Sequence, residues 1–249
     1  MSVDRERAVT DAFVSLTGNL VEGLDVVDLL GELTEDCASL LDIAAAGLLL
    51  ADRRGVLHVV AASSERTRNL ELFQLQREQG PCLDCYHSRT AVSVADLAAE
   101  RQRWPDFVAA ATSAGFASVH AVPMRLREQT LGALGLFGTE VGSLNEEDLS
   151  LAQALAHVAS VALVADRVAA DQTLVNEQLH TALTSRVTLE QAKGVLAQLG
   201  DLDMDQAFKM LRRYARDHNE RLSDTAAAVV SRDLAARELL DHGRRRASR

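Results

Sequence analysis

Residues 118–138, SVHAVPMRLREQTLGALGLFG, decide the fold of the larger part of this chain. Two apolar runs, 117–127 and 130–139, flank the polar pair Glu128-Gln129, a pattern that predicts two antiparallel strands joined by a tight turn. Upstream, AAAGLLLADRRGVLHVVAAS at 44–63 repeats the arrangement around Asp52-Arg53-Arg54-Gly55. Between the two hairpins, 66–79 has helical spacing and Gly80-Pro81 breaks the chain. AVSVADL then gives a short strand and WPDFVAAATSAG a short helix. Amphipathic helices are expected at 3–20 and 24–41, the second burying Leu29, Leu30, Leu33, Cys37, Leu40 and Leu41. Strands interrupted by helices, with helices at the ends, define an α+β domain built on an antiparallel sheet.

From Asn145 to about Thr184 the chain contains neither Pro nor Gly. Leu151, Leu155, Val158, Ala162 and Ala165 form a helical seam, continued after a polar patch by Leu174, Leu179 and Leu183. Ser143 and Glu146 have capping-box spacing and mark the expected start. A helix this long outside a core packs on a partner, so a dimeric coiled segment is expected.

The last part reads differently. In 181–230, TALTSRVTLEQAKGVLAQLGDLDMDQAFKMLRRYARDHNERLSDTAAAVV, the residues Lys209, Arg212, Arg213 and Arg216 fall at i, i+3, i+4 and i+7. One helix would gather these cations on one face and place Met204, Ala207, Phe208, Leu211 and Ala215 on the other. In the preceding helix, Leu189, Ala192, Val195, Leu196 and Leu199 are expected inside, with Glu190, Lys193, Gly194 and Ala197 outside. Glycine in a helix interior costs about 1 kcal/mol relative to alanine. Gly194 therefore either admits a foreign backbone beside Lys193 or relieves crowding between helices. Asp203 with Gln206, and Ser223 with Ala226, mark two further helix starts, and the last helix is expected to bury Leu222, Ala226, Val229, Val230 and Leu234. The cationic face has two readings: a phosphate-binding surface, or a solvated face stitched by Asp205–Lys209, Arg213–Asp217 and Arg216–Glu220.

Charge favours a local reading. The chain carries a formal net charge of −10 with a pI near 5.2. Residues 171–249 hold 13 Lys/Arg against 12 Asp/Glu, however, leaving 13 against 24 for the rest. Any affinity for nucleic acid is confined to the C-terminal part. Three cysteines, Cys37, Cys82 and Cys85, are too few to staple a secreted fold. With no apolar run long enough to span a membrane and no signal peptide, a cytoplasmic protein is expected. No catalytic motif is present, so an enzyme is not expected. A zinc site at the C-x₂-C pair Cys82/Cys85 would need further ligands from His58, His87 or His120, and none is expected. A redox role needs Cys82 and Cys85 alone.

The run Ala182-Leu183, Ser185-Arg186, Leu189, Gln191-Ala192-Lys193-Gly194, Ala207-Phe208, Leu211-Arg212, Ala215, Asn219 and Arg221-Leu222 resembles the ANTAR domain. That family is a three-helix RNA-binding module of transcription antitermination regulators. Gly80-Pro81-Cys82, the strands VHAVPMRL and LGALGLF, and Asn145-Glu146-Glu147-Asp148-Leu149 together resemble a GAF domain, a family that binds small molecules or senses redox state. The pattern of cyclic-nucleotide-binding relatives, Asn-Lys followed by Phe and Asp-Glu, is absent, which disfavours cyclic GMP. The resemblances imply a sensor at 1–165, a helical connector at 166–184, an RNA-binding bundle at 185–240 and a basic tail at 241–249, of which the charge run Arg244-Arg245-Arg246-Ala247-Ser248-Arg249 is expected to be disordered. They imply a homodimer that captures RNA stem-loops and prevents a terminator from forming. The RNA-binding candidates are Arg186, Lys193, Gly194, Arg212, Arg213, Arg216 and Asn219, with Tyr214 a stacking candidate. His120 and Trp104 are the candidate ligand-pocket residues, and the ligand or cofactor is unknown. The alternative is a DNA-binding regulator or a protein-interaction module using the same basic face.

Overall fold

The structure, a computed structural model, describes residues 3–18, 26–52, 54–142, 144–165, 173–218 and 220–247. In chain order the elements are α1 Val3–Gly18, α2 Val26–Leu40, β1 Ala45–Ala51, β2 Leu57–Ala62, α3 Glu65–Arg77, α4 Pro81–Ser88 and β3 Val92–Val94. After a 3₁₀ turn at Leu97–Glu100 come α5 Pro105–Ser113, β4 Ser118–Leu126, β5 Gln129–Gly138 and α6 Glu146–Ala165. The helices α7 Thr173–Gly200, α8 Met204–His218, α9 Leu222–Ser231 and α10 Ala236–Ala247 complete the chain. Two compact units emerge, Met1–Leu24 with Leu29–Leu179, and Asp25–Asp28 with His180–Arg249.

The first unit is built on a five-stranded antiparallel sheet in the order β2-β1-β5-β4-β3. The hairpin β4–β5 pairs Ser118 with Gly138 at one end and Leu126 with Gln129 at the other. Its turn is therefore Arg127-Glu128, one residue earlier than expected, with Arg127 in the left-handed region at φ 53°. β1 is buried along its whole length because it is a central strand with both faces covered. On one face, Ala45, Leu49, Val119, Ala121, Ala133 and Phe137 meet Leu70, Cys82, Cys85, Phe107 and Ala111 from α3, α4 and α5. Strand residues alternate between faces, so Ser118, His120, Val122 and Met124 point to the opposite side, where α6 packs on β4.

Helix α4 was not foreseen. Gly80-Pro81 ends one helix and begins another, Pro81 occupying the first turn, where a missing backbone N–H costs nothing. Ser143, expected to cap α6, lies outside the described residues, and the helix begins at Glu146. Asn145 Oδ1 accepts from the Asp148 amide at 2.8 Å and Asn145 Nδ2 donates to the Asp148 side chain at 3.1 Å, making Asn145 the cap. Asp148 is anchored in turn by an ion pair with Arg5. The inward seam of α6 is Ala152, Leu155, Ala156, Ala159 and Leu163, with Leu151 and Val158 only half-buried. Part of the expected connector, 166–172, lies outside the described residues.

In the second unit the cap at α8 follows expectation. Asp203 Oδ1 accepts from the Gln206 amide at 2.6 Å, and Gln206 Oε1 accepts from the Asp203 amide at 3.1 Å. Leu189, Ala192 and Leu196 of α7, Ala207, Leu211 and Ala215 of α8, and Leu222, Ala226 and Val229 of α9 share one core. Leu239 and Leu240 of α10 join it, adding a fourth helix to the expected three. The tail expected to be disordered is thus helical as far as Ala247, because two leucines anchor the turn before the arginine run. Val195, Leu199 and Val230, expected inside, are 37%, 55% and 37% exposed.

Candidate functional site

Helix α8 sorts its cations unequally. Lys209, Arg213 and Arg216 are exposed, whereas Arg212 is only 7% exposed and its Nε donates to Asp28 at 2.9 Å. Arg212 lies at the margin of the stripe, about a sixth of a turn from Lys209 toward Phe208, which is why it leaves the solvent face. Two of the three pairs that would have stitched this face are not formed. Among the described residues Lys209 and Arg213 make no ion pair, and Asp217 instead accepts from His242 Nε2 at 2.7 Å. Such unneutralised guanidinium and ammonium groups are what a phosphate backbone selects.

On α7 the outward face is rotated from the expected one. Lys193 is 3% exposed, its Nζ 3.2 Å from both Glu190 carboxylate oxygens and 5.9 Å from the centre of the Phe208 ring. Arg186 reaches the same carboxylate at 2.6 Å. One glutamate thus gathers both cations along its flank. Val187, Gln191, Gly194, Val195, Gln198 and Leu199 are the residues turned outward. A Cβ built at Gly194 meets nothing within 4 Å, so crowding between the protein's own helices does not explain this glycine. Asn219 lies outside the described residues. Tyr214 is 5% exposed, stacked on His218 at 3.9 Å between ring centres, with its hydroxyl donating to Glu238 at 3.3 Å. Burial and the Glu238 carboxylate raise its pKa, so it is a core residue with one ring face on a histidine.

In the first unit the chemistry is enclosed. Cys82 and Cys85 sit on α4 with no exposure. Cys82 Sγ lies 3.5 Å from Glu71 Oε1, and its backbone amide donates to Gln74 Oε1 at 3.3 Å. Gln74 Nε2 donates to the other Glu71 oxygen. Among the described residues no positive charge accompanies this cluster, and burial pushes the Glu71 carboxyl up to about 8 against the hydrogen bonds from Cys82 and Gln74. Burial, then Glu71, push the Cys82 thiol up, and burial takes Cys85 to about 12. Both cysteines are held as thiols, the unreactive form.

Strand glycines make room for the cluster. A Cβ at Gly135 would stand 2.7 Å from both Cys82 Sγ and Glu71 Oε1, and one at Gly47 would stand 2.8 Å from Glu71 Oε1. Glu71 and Gln74 escaped the sequence reading, although Thr67, Leu70, Glu71 and Gln74 follow i, i+3, i+4, i+7 spacing and are the buried residues of α3.

His120 and Trp104 do not share a pocket. Trp104 is 3% exposed in the core beneath α5, edge-on to Phe107 at 6.3 Å and capped by Arg103 at 4.3 Å. His120 points to the opposite face of the sheet, 2% exposed, and accepts at Nε2 from the Leu144 amide at 3.3 Å. Of the other histidines near the cysteines in sequence, His58 pairs with Asp52 at 3.2 Å and His87 packs edge-on to Tyr86.

Comparison with known proteins agrees with this architecture. The GAF domain model matches residues 23–164 and the ANTAR domain model residues 177–230. The chain belongs to the GAF domain family and carries an ANTAR domain after it. Among solved structures it is similar to the GAF domain of a phosphoenolpyruvate-protein phosphotransferase from Acinetobacter, with TM-score 0.54, 13% identity, and coverage of 69% of this chain and 99% of that one. It is also similar to the corresponding domain from Coxiella burnetii (TM-score 0.50, 14% identity, 64% and 94% covered). A third is the phycoerythrobilin-bound GAF domain of a cyanobacterial phytochrome (TM-score 0.50, 17% identity, 67% and 97% covered). At these identities the likeness is one of fold. A comparison with curated proteins gave no match. GAF domains are sensor modules and ANTAR domains are RNA-binding antitermination modules, so the chain has the composition of a signal-responsive regulator. Among the described residues no helix is long and apolar enough to cross a membrane.

Proposed function

We propose that this chain is a cytoplasmic, homodimeric regulator of transcription antitermination that captures stem-loops in nascent RNA and so prevents a terminator from forming. The observation that carries this reading is the exposed face of α8, where Lys209 and Arg213 are unneutralised, on a domain of the ANTAR type. Arginine forks bond phosphates and stack on unpaired bases, which suits loops better than uniform duplex. Two linked hairpins meeting two copies of the unit would gain affinity through effective concentration, and the helices α6 and α7 are the natural means of pairing copies as a coiled coil. The first unit would supply the signal that changes the spacing of the two copies. This reading gives the chain no catalytic step.

The test is competition binding of the full chain to tandem stem-loop RNA and to duplex DNA at two salt concentrations. Tandem stem-loops should win. Replacing Lys209, Arg213 and Arg216 together by glutamine should weaken capture roughly a hundredfold and flatten the salt slope by about 2 to 3. Equal preference for duplex DNA would favour a DNA-binding regulator. An unchanged affinity in the folded triple variant would overturn the nucleic-acid assignment.

A further inference from the structure

The matched ANTAR segment ends at residue 230, yet the core it belongs to continues into α10 through Leu239 and Leu240. Polar contacts fix α10 along one edge of α8. Glu238 accepts from the Tyr214 hydroxyl at 3.3 Å. The His242 ring lies edge-on to Tyr214, 5.4 Å between centres, and 5.2 Å from His218. Its Nε2 is 2.7 Å from Asp217 Oδ2, and because a carboxylate only accepts, the ring nitrogen is the donor.

That edge borders the cationic face. Asp217 stands at i, i+4 from Arg213, about 40° further round the helix, the spacing at which opposite charges pair. Its carboxylate goes to His242 instead, and Arg213 makes no ion pair among the described residues. The side chains of His242 and Asp217 are only 26% and 21% exposed, so water screens this contact less than it would a pair on the exposed face with Arg213.

We propose that His242 is a positioning residue of the RNA-binding face: by holding Asp217 it keeps that carboxylate off Arg213 and leaves the guanidinium for phosphate. The inference rests on the RNA-capture reading of α8 and extends the binding unit to a helix beyond the matched domain.

His242→Leu keeps an apolar side chain against Tyr214 but has no donor, so Asp217 turns to Arg213. Capture of tandem stem-loops by the full chain should weaken about threefold, and the salt slope should flatten by about 1, as for one lost phosphate contact. His242→Gln, which retains a donor, should bind within a factor of about two of the unsubstituted chain. Adding Asp217→Asn to His242→Leu should restore affinity to within a similar factor of about two, because the competing carboxylate is gone. Asp217→Asn alone should capture RNA at least as tightly as the unsubstituted chain. Were His242 only a packing residue, the double variant would stay as weak as His242→Leu, and that result overturns the proposal. Unchanged capture by folded His242→Leu, or weaker capture by Asp217→Asn, overturns it equally. The Arg213 Nε–H signal of the isotopically labelled chain, followed without RNA, is the second measurement. Its exchange with water should slow in His242→Leu and recover in the double variant, and unaltered exchange overturns the proposal even where RNA affinity falls. Failure of the unsubstituted chain to capture stem-loops is a distinct result, which overturns the RNA reading and this inference with it.

Discussion

The two units handle polar groups in opposite ways. The first hides them: Glu71, Gln74, Cys82 and His120 are at most 2% exposed, and the carboxyl cluster is accommodated by glycines on facing strands. The second displays them: Lys209, Arg213 and Arg216 stand in solvent on a helix whose other side is core. A buried group acts through its protonation and its neighbours, so its effects depend on pH and on substitutions of a single atom. A displayed group acts through its charge, so its effects depend on salt and on partners. Experiments that vary pH, thiol reagents and local backbone should therefore separate the units.

The largest effect is expected at Glu71. Its folded pKa of about 8 stands above the ordinary 4.5, so between those values the folded protein holds a proton that the unfolded chain has released. Stability contributed by this group is thus full below pH ~4.5 and falls as pH rises, by roughly tenfold in the unfolding constant per pH unit, levelling above pH ~8. Glu71→Gln, neutral and nearly isosteric, should remove most of that slope. Denaturant melts at several pH values measure it, and a parallel pH dependence in the variant would show that Glu71 is ionised in the folded protein.

How much of this contrast could be read in advance follows from the same physics. The sheet was legible because alternation and turn residues are local signals, and the Asp203/Gln206 cap because its spacing is a local chemical match. The cation stripe on α8 was legible from the helical period, but the period does not say which edge of a stripe a neighbouring element covers, and Arg212 was lost to that. On α7 the uncertainty was larger: Val195 and Lys193 are close in angle to the true boundary, and the Lys193 stem and head are covered while Val195 is exposed. The Glu71 cluster stayed hidden because helix faces are read from apolar residues, and here the inward face is half polar. Its trace in the sequence is complementary: polar residues at i, i+4 and i+7 on α3, and the glycines Gly47 of β1 and Gly135 of β5, which pair across the two strands.

Thiol chemistry gives the next effect. With Cys82 and Cys85 fully covered and both pushed up in pKa by burial, iodoacetamide should modify the native chain at least roughly tenfold more slowly than the chain in denaturant. Mass spectrometry of the peptide carrying both cysteines reads this directly. Native-state labelling as fast as in the unfolded chain would mean that α4 opens readily, and the first unit would then display its thiols after all.

The smallest effect is the most discriminating for the second unit. A methyl group at Gly194 would enter open space, and alanine restores helix propensity, so Gly194→Ala should raise stability by about 1 kcal/mol. Were Gly194 a packing glycine, the same change would lower stability. The sign therefore distinguishes the two readings that the sequence alone left open. If RNA presses against α7, the variant should also bind stem-loops several-fold more weakly while melting at a higher temperature. A protein that gains stability and loses its partner at one methyl group has that group at an interface. One that gains stability with RNA affinity intact confines the interface to α8 and makes the bare turn of α7 irrelevant to it.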